Sequence, residues 1–263
     1  EANKVKNYVK RVIQNMPNEW INLTTHRLDI YDEKLAKIQF LEQFESLFNQ
    51  QISDTSALYE LPTAFDYIRL GHPLSCILEW AVAKLNTIDS NNVISFSSKT
   101  IPVLAILRKN RLENKNTQIL YKGEISDLFA TEILKDIYGY KFEIKQIEDL
   151  ATITEFNGST IFISQQDNIC DFESTPDVDF FINIHSHLGS ILIVNGTQNE
   201  SYISDIQHVR RRETIAMTPA NSLSTLKILT QESTFHSNNS NVVANKKIVL
   251  DSIKCILSRS SCF

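Results

Sequence analysis

Between residues 93 and 194, short apolar runs alternate with helical stretches, and that alternation limits the possible folds more than any other feature of the chain. Val93-Ile94-Ser95-Phe96, Gln118-Ile119-Leu120-Tyr121, Lys141 to Ile147, Thr160-Ile161-Phe162-Ile163 and Phe180 to Ile184 read as strands: each is short and rich in β-branched or aromatic residues. Ile101 to Arg108 and Asp127 to Tyr138 carry helical spacing. Strands separated by helices predict βαβ units, and hence an α/β fold with a mainly parallel sheet flanked by helices. Ser190 to Val194 is the expected hairpin partner of Phe180 to Ile184.

The flanks are helical. Val5, Tyr8, Val9, Val12 and Ile13 recur at helical spacing, as do Leu35, Ile38, Leu41, Phe44 and Phe48, with Pro17 and the stretch from Asn22 to Thr25 between the two sets. A polar link, Gln50 to Ser56, precedes Leu61-Pro62-Thr63, and after Pro73 a strongly apolar helix is expected over Leu74 to Leu85. The expected division is an N-terminal helical segment, 1–60, and an α/β domain, 61–263, whose last part from Ser201 is helical around a polar loop at His236 to Asn241.

Composition excludes several function classes. With 42% hydrophobic residues in 263, the chain can bury a substantial core. Net charge is -5 and the longest basic cluster is Arg210-Arg211-Arg212, so no nucleic-acid partner is expected. No apolar run approaches the roughly 18 residues of a membrane span, and Glu1 to Gln14 is charged rather than signal-like, so neither a membrane partner nor secretion is expected. Cys76, Cys170, Cys255 and Cys262 are scattered without a C-x-x-C pair, which fits reduced thiols in a cytoplasmic protein. The sequons at Asn157-Gly158-Ser159 and Asn195-Gly196-Thr197 are of the kind an Asn- and Ser-rich chain makes by chance.

One continuous segment is more specific. Tyr67-Ile68-Arg69-Leu70-Gly71-His72-Pro73-Leu74-Ser75-Cys76-Ile77-Leu78-Glu79-Trp80-Ala81-Val82-Ala83-Lys84-Leu85 resembles the signature Y-x-R-x-G-N-P-T-x-x-x-L-E-x-x-[AL]-A-x-L of cystathionine γ-synthase, cystathionine γ-lyase and their relatives. The resemblance implies the large domain of the fold-type I pyridoxal-phosphate transferases with an N-terminal helical extension. It also implies that Tyr67 and Arg69 reach the cofactor phosphate of a neighbouring subunit, a role suited to the planar fork of arginine. Ser97-Ser98-Lys99-Thr100 is similar to the family's S-S-G-M turn, which opens a helix whose N-terminal amides hold the phosphate. Here Lys99 and Thr100 replace Gly-Met, so a side chain stands where close backbone approach is wanted. Ser186 resembles the first serine of A-D-x-x-x-x-S-x-T-K-Y, and Glu213 to Leu226 resembles the S-P and L-K-T-L segment beyond it. In all, the resemblance covers about Leu61 to Leu257. The implied cofactor-binding set is Tyr67, Arg69, Ser97, Ser98, Lys99, Thr100 and Ser186.

The departures bear on chemistry. Pyridoxal phosphate acts as an electron sink when a lysine holds it, an acid keeps its ring nitrogen protonated and an aromatic ring stacks on it. After Ser186 the sequence runs His187-Leu188-Gly189-Ser190, without the T-K-Y turn. The stacking tyrosine falls on Lys122, with Tyr121 one place off and on the opposite face of a strand. Between Ile163 and Asp179 there are too few residues for the helix and strand that deliver the acid, and the family's C-terminal domain would begin about where this sequence ends.

The expectation is therefore a pseudoenzyme with no catalytic residues and no cofactor. It would be a binding or scaffold protein acting through protein-protein contacts, as a homo-oligomer or in a hetero-complex. The alternative is an active pyridoxal-phosphate C-S lyase or γ-synthase of sulfur amino-acid metabolism. A second alternative is a metal-binding hydrolase using His185 and His187, since H-x-H on a strand puts both rings on one face. His-Ser-His is similar to the JAMM metalloprotease spelling, but Asn195 stands where its serine belongs, and only Asp205 and His208 remain as loose further ligands.

Plainer readings stand beside these. Tyr67 and Arg69 make an interface pair, Ser97 to Thr100 an ordinary helix cap, and Lys99 and Lys122 solvated side chains. His72 caps the turn before Pro73. Arg210 to Arg212 form a solvated helix face or pair with Asp205 and Glu213.

Overall fold

The computed structural model describes residues 1–22, 33–62, 64, 68–123, 129–173 and 175–231. The chain divides into two units, Glu1–Ser233 and Thr234–Phe263; the second lies outside the described residues, as do the expected loop at His236 to Asn241 and the cysteines Cys255 and Cys262.

Six strands build one sheet: β1 (Val93–Phe96), β2 (Thr117–Lys122), β3 (Phe142–Gln146), β4 (Ser159–Gln165), β5 (Phe180–His185) and β6 (Gly189–Val194), in the order β1-β6-β5-β4-β2-β3. Strands β3, β2, β4 and β5 run parallel, and β6 is antiparallel to both β5 and β1. The mainly parallel α/β sheet and the terminal hairpin read from the sequence are both present. The helices are α1 (Ala2–Asn15), α2 (Glu33–Gln50), α3 (Thr55–Tyr59), α4 (Pro73–Asn86), α5 (Ile101–Leu112), α6 (Ser201–Glu213) and α7 (Pro219–Leu229).

The connections depart from the βαβ expectation. Among the described residues, a π-helical turn, Ile133–Ile137, stands between β2 and β3, a 3₁₀ turn, Leu150–Thr152, between β3 and β4, and no helix between β4 and β5. In its described part the predicted helix over Asp127 to Tyr138 is reduced to two α-helical residues, Thr131 and Glu132, running into that π-helical turn. Only Leu134 of the turn is buried, while Ile133 and Ile137 are exposed, so there is too little apolar face to sustain a regular helix. Helix α3 occupies part of the expected polar link; the Asp54 side chain starts it by accepting from the Ala57 backbone N–H.

Side chains alternate across each strand and so feed two cores. Leu120, Phe162, Phe181, Ile191 and Ile193 face α1, α2, α4 and α7, where Tyr8, Phe44, Phe48 and Trp80 pack edge to face. Ile94, Phe96, Ile119, Ile161, Ile182 and Leu192 face α5 and α6. Full burial of an aromatic such as Phe44 contributes about 2 kcal/mol, so the N-terminal helices are held by the same apolar core as the sheet.

The outer edge of β1 is closed by charge. Glu79 of α4 accepts from the backbone N–H and the hydroxyl of Ser95, both at 2.8 Å. Lys37 of α2 donates to the carbonyls of Ser90 and Val93 and lies 2.7 Å from Glu79. Arg210 of α6 donates to the carbonyls of Ser95 and Leu70 and pairs with Glu79 at 3.1 Å. Lys37, Glu79 and Arg210 are all buried. An edge strand covered by helices loses water from its unpaired amide and carbonyl groups, and these three side chains replace it. This corrects the reading of Arg210 as part of a solvated face: Asp205 pairs with Lys109 and Glu213 with Arg108, leaving Arg210 to the interior.

Candidate site at the carboxyl edge of the sheet

The residues singled out from the sequence gather where β1 and β5 end, the side of a parallel sheet on which α/β proteins commonly bind ligands. After β1, the Ser98 hydroxyl accepts from the backbone N–H groups of Thr100 and Ile101 at 3.3 and 3.2 Å, closing the start of α5. Ser97 faces the other way. Its N–H donates to the Ile215 carbonyl at 3.2 Å and its hydroxyl to the Ala216 carbonyl at 2.8 Å. Ala216 in turn donates its N–H to the Ile68 carbonyl at 3.1 Å, so the 215–216 segment ties the turn after β1 to the segment carrying Arg69. Arg69 is exposed and donates to the Arg211 carbonyl at 3.3 Å. Tyr67 lies outside the described residues.

The hairpin turn between β5 and β6 forms the other wall. Lys99 donates its ammonium to the Ser186 carbonyl at 3.4 Å, which brings Lys99 and Ser186 together across the two strand ends. Nδ1 of His185 accepts from the backbone N–H groups of His187 and Leu188 at 3.1 and 3.2 Å, so the imidazole pins the turn from inside. Burial lowers the His185 pKa, with nearby Asp167 acting the other way and His187 and Lys99 adding to the fall. Asn221 of α7 holds the turn from outside by donating to the Leu188 carbonyl at 3.0 Å. Gly189, at φ 119°, lies so close to β1 that a Cβ there would stand 2.1 Å from the Phe96 carbonyl oxygen. The Ser190 hydroxyl closes the corner on the Ser98 carbonyl at 2.6 Å.

The H-x-H pair does not behave as the alternation of a strand predicts. Strand β5 stops at His185, and His187 sits in the turn, with ring centroids 6.1 Å apart. One nitrogen of His185 is engaged by backbone. Among the described residues no three His, Cys, Asp or Glu side chains come together as metal ligands, and Asp205 instead pairs with Lys109 on α5.

A pyridoxal-phosphate seat needs free helix-end donors for the phosphate, an amine at the turn and an acid at the ring nitrogen. At the start of α5 the N–H groups of Thr100 and Ile101 are already taken by Ser98, and both donors of Ser97 are turned to the 215–216 segment. The turn 186–188 is Ser-His-Leu, and the inward polar residue near the end of β5 is Asn183, whose amide donates to the carbonyls of Ile169 and Asp171. Glu79 is the buried carboxylate among the described residues, and it serves the β1 edge. Lys122 is exposed at the end of β2. These side chains do not fit the group.

Two further elements brace this region, the first of them the cap expected before Pro73. His72 is buried and caps α4: its Nδ1 accepts from the Ser75 N–H at 3.2 Å, so Nε2 carries the hydrogen donated to the Met217 carbonyl at 2.7 Å. Burial lowers its pKa to about 4. The Lys37–Glu79–Arg210 group underlies both walls, since Arg210 binds the Leu70 carbonyl next to Arg69 and the Ser95 carbonyl two residues before Ser97. Its signal in the sequence was Glu79, the acid of the L-E pair in the signature and a lone acid inside the apolar run Leu74 to Leu85.

Sheet order, strand directions and flanking helices make a fold similar to the large domain of the pyridoxal-phosphate-dependent transferases, with N-terminal helices added. Among solved structures, the chain is similar to cystathionine γ-lyase from yeast at 12% identity, covering 85% of this chain and 62% of that one with a TM-score of 0.50. It is also similar to cystathionine γ-lyase from Lactobacillus plantarum complexed with L-serine (13% identity, 85% and 63% coverage, TM-score 0.45) and to metB from Corynebacterium glutamicum (15%, 65% and 54%, 0.38). The chain spans less than two thirds of the length of these three proteins. No family model and no curated protein matches the sequence. Among the described residues, no helix is long and apolar enough to cross a membrane.

Proposed function

We propose that this chain is a non-catalytic binding or scaffold protein on a cystathionine γ-synthase-like fold, acting through protein-protein contacts. One observation carries the reading: four donors at the turn after β1, the backbone N–H groups of Thr100 and Ile101 and both donors of Ser97, are bonded within the chain. A buried polar group already hydrogen-bonded has little left to offer a ligand. Arg69, exposed beside α6, is free of that internal set and is the side chain through which a second copy or another protein would make contact.

The rival is an active pyridoxal-phosphate lyase or synthase, favoured by the placement of the Lys99 ammonium at the Ser186 carbonyl, beside the turn where the family's lysine belongs. Titration of purified protein with pyridoxal phosphate, followed by borohydride, separates the two. The scaffold reading expects no Schiff-base absorbance band and no stoichiometric adduct. A permanent adduct on one lysine, Lys99 or another, overturns it. Sedimentation at increasing concentration tests the contact reading: self-association that Arg69→Ala weakens supports it, and a monomer that binds no partner opposes it.

A further inference from the structure

The chain contains two Asn-Gly pairs, Asn157-Gly158 and Asn195-Gly196, and the fold treats them oppositely. We propose that Asn157 is a self-modifying site, converting to aspartate and isoaspartate in the folded protein, while Asn195 is kept as an amide by its surroundings.

The chemistry needs only water. The Gly158 nitrogen, losing its proton to hydroxide, attacks Cγ of Asn157; the new N–Cγ bond closes a five-membered succinimide as the Cγ–Nδ2 bond breaks, and ammonia leaves after taking a proton from water. Water then adds to one of the two ring carbonyls and opens the ring. Breaking the new bond returns aspartate, and breaking the original peptide bond gives isoaspartate. Nothing is oxidised or reduced. The reaction requires a carboxamide free to swing toward the next nitrogen, a following residue without a Cβ, and access for water. Asparagine is thermolabile for this reason.

Asn157 meets these conditions. It is exposed on the loop before β4, and among the described residues no hydrogen bond holds its carboxamide. It borders an open groove of about 790 Å³ together with Glu113, Lys115 and Glu155. Two features restrain the attacking nitrogen: the Gly158 N–H donates to the Phe156 carbonyl at 2.8 Å, a bond that opens readily in an exposed loop, and Gly158 packs so closely that a Cβ there would stand 2.4 Å from the Asn116 carbonyl oxygen. At Asn195 the carboxamide is clamped instead: Nδ2 donates to the carbonyls of Thr175 and Val178 at 3.2 and 2.7 Å, while its backbone N–H donates to Asp179 at 2.8 Å and its carbonyl accepts from Asn199 at 2.7 Å. Swinging Cγ toward Gly196 would break two hydrogen bonds to the chain.

The product has a structural consequence. Isoaspartate places an extra methylene in the main chain two residues before Ser159, whose N–H donates to the Asn116 carbonyl at 2.9 Å and which pairs with Thr117 at the start of β4. It also puts a third carboxylate beside Glu113 and Glu155.

Peptide mass mapping of the full chain, held native at mildly alkaline pH, tests this beside a sample in urea. The expected result is conversion at Asn157 with Asn195 intact in the native sample, and similar conversion at both in urea. The variant Asn157→Gln is expected to abolish the slow acidic shift on isoelectric focusing. Equal native rates at the two positions overturn the proposal. So does a native Asn157 that stays an amide while its unfolded counterpart converts, which would mean that the Gly158–Phe156 bond protects it.

Discussion

Strands β1 and β3 end the sheet formed by the described residues, and among those residues each leaves a row of backbone groups without a neighbouring strand. At β1 the edge is buried under helices, and its groups are met atom by atom: Ser95 N–H by Glu79, the Ser95 carbonyl by Arg210, the Val93 carbonyl by Lys37. At β3 the edge lies open, with Glu143, Lys145 and Gln146 exposed along it, and water does what the three buried charges do at β1. Charge guards both edges, but by different physics. On the open side it only has to be soluble and discourage another strand, whereas on the closed side the ions must be paired, and even so Nε of Arg210 is buried without a hydrogen-bond partner among the described residues.

The sharpest way to break the contrast is Glu79→Ala, which strands two cations and the Ser95 amide inside the protein. A loss of about 3–5 kcal/mol is expected by urea denaturation, enough to unfold a marginal domain. Next comes acid. Burial raises the Glu79 pKa, but Lys37, Arg210 and the Ser95 hydrogen bond outweigh it and hold the carboxyl below its usual value. His72 is held neutral, its pKa lowered from 6.5 to about 4. Both folded-state values lie below their unfolded ones, so the unfolded chain takes up more protons and stability falls as pH falls. His72 alone is expected to remove up to about 3 kcal/mol between pH 6.5 and 4, and His72→Asn, which can still cap α4, is expected to flatten that part of the stability-pH curve.

Lys37→Met keeps the apolar stem but removes the ammonium from two carbonyls and a carboxylate. About 2 kcal/mol is expected, read from the same denaturation curves. The smallest effect is predicted for Glu143→Ala on β3, within about 0.5 kcal/mol, because its bond to Gln118 is solvent-exposed. A Glu143 variant as costly as Lys37→Met would abolish the distinction between the two edges.

Much of the sheet was legible because its strands are short continuous apolar runs with β-branched cores, as at Ile161 and Ile182, and such runs have few alternatives. The helices flanking it followed from periodicity. What failed is instructive: Asp127 to Tyr138 read as a helix, yet Ile133, Ile137 and Tyr138 are exposed and the described part of the segment closes in a π-helical turn. Periodicity reports that apolar residues share a face, and not that a core waits beneath it. The gathering of Ser97, Ser98, Lys99 and Ser186 at two strand ends could be anticipated through the resemblance alone, since those residues are far apart in sequence. The inward turn of Arg210 was illegible, because three consecutive arginines carry no mark of which one faces the interior. Its partner Glu79 did carry one, as an acid in an otherwise apolar helix.

Gly189 sets a rule for redesign. Since any side chain there would collide with the Phe96 carbonyl, the start of β6 is anchored to β1, and the hairpin can be lengthened only on its upstream side. A graft meant to install a reactive lysine must therefore enter between Ser186 and Leu188. It would displace the backbone amides that His185 now binds, so the imidazole would need a new acceptor role or replacement by a hydrocarbon side chain.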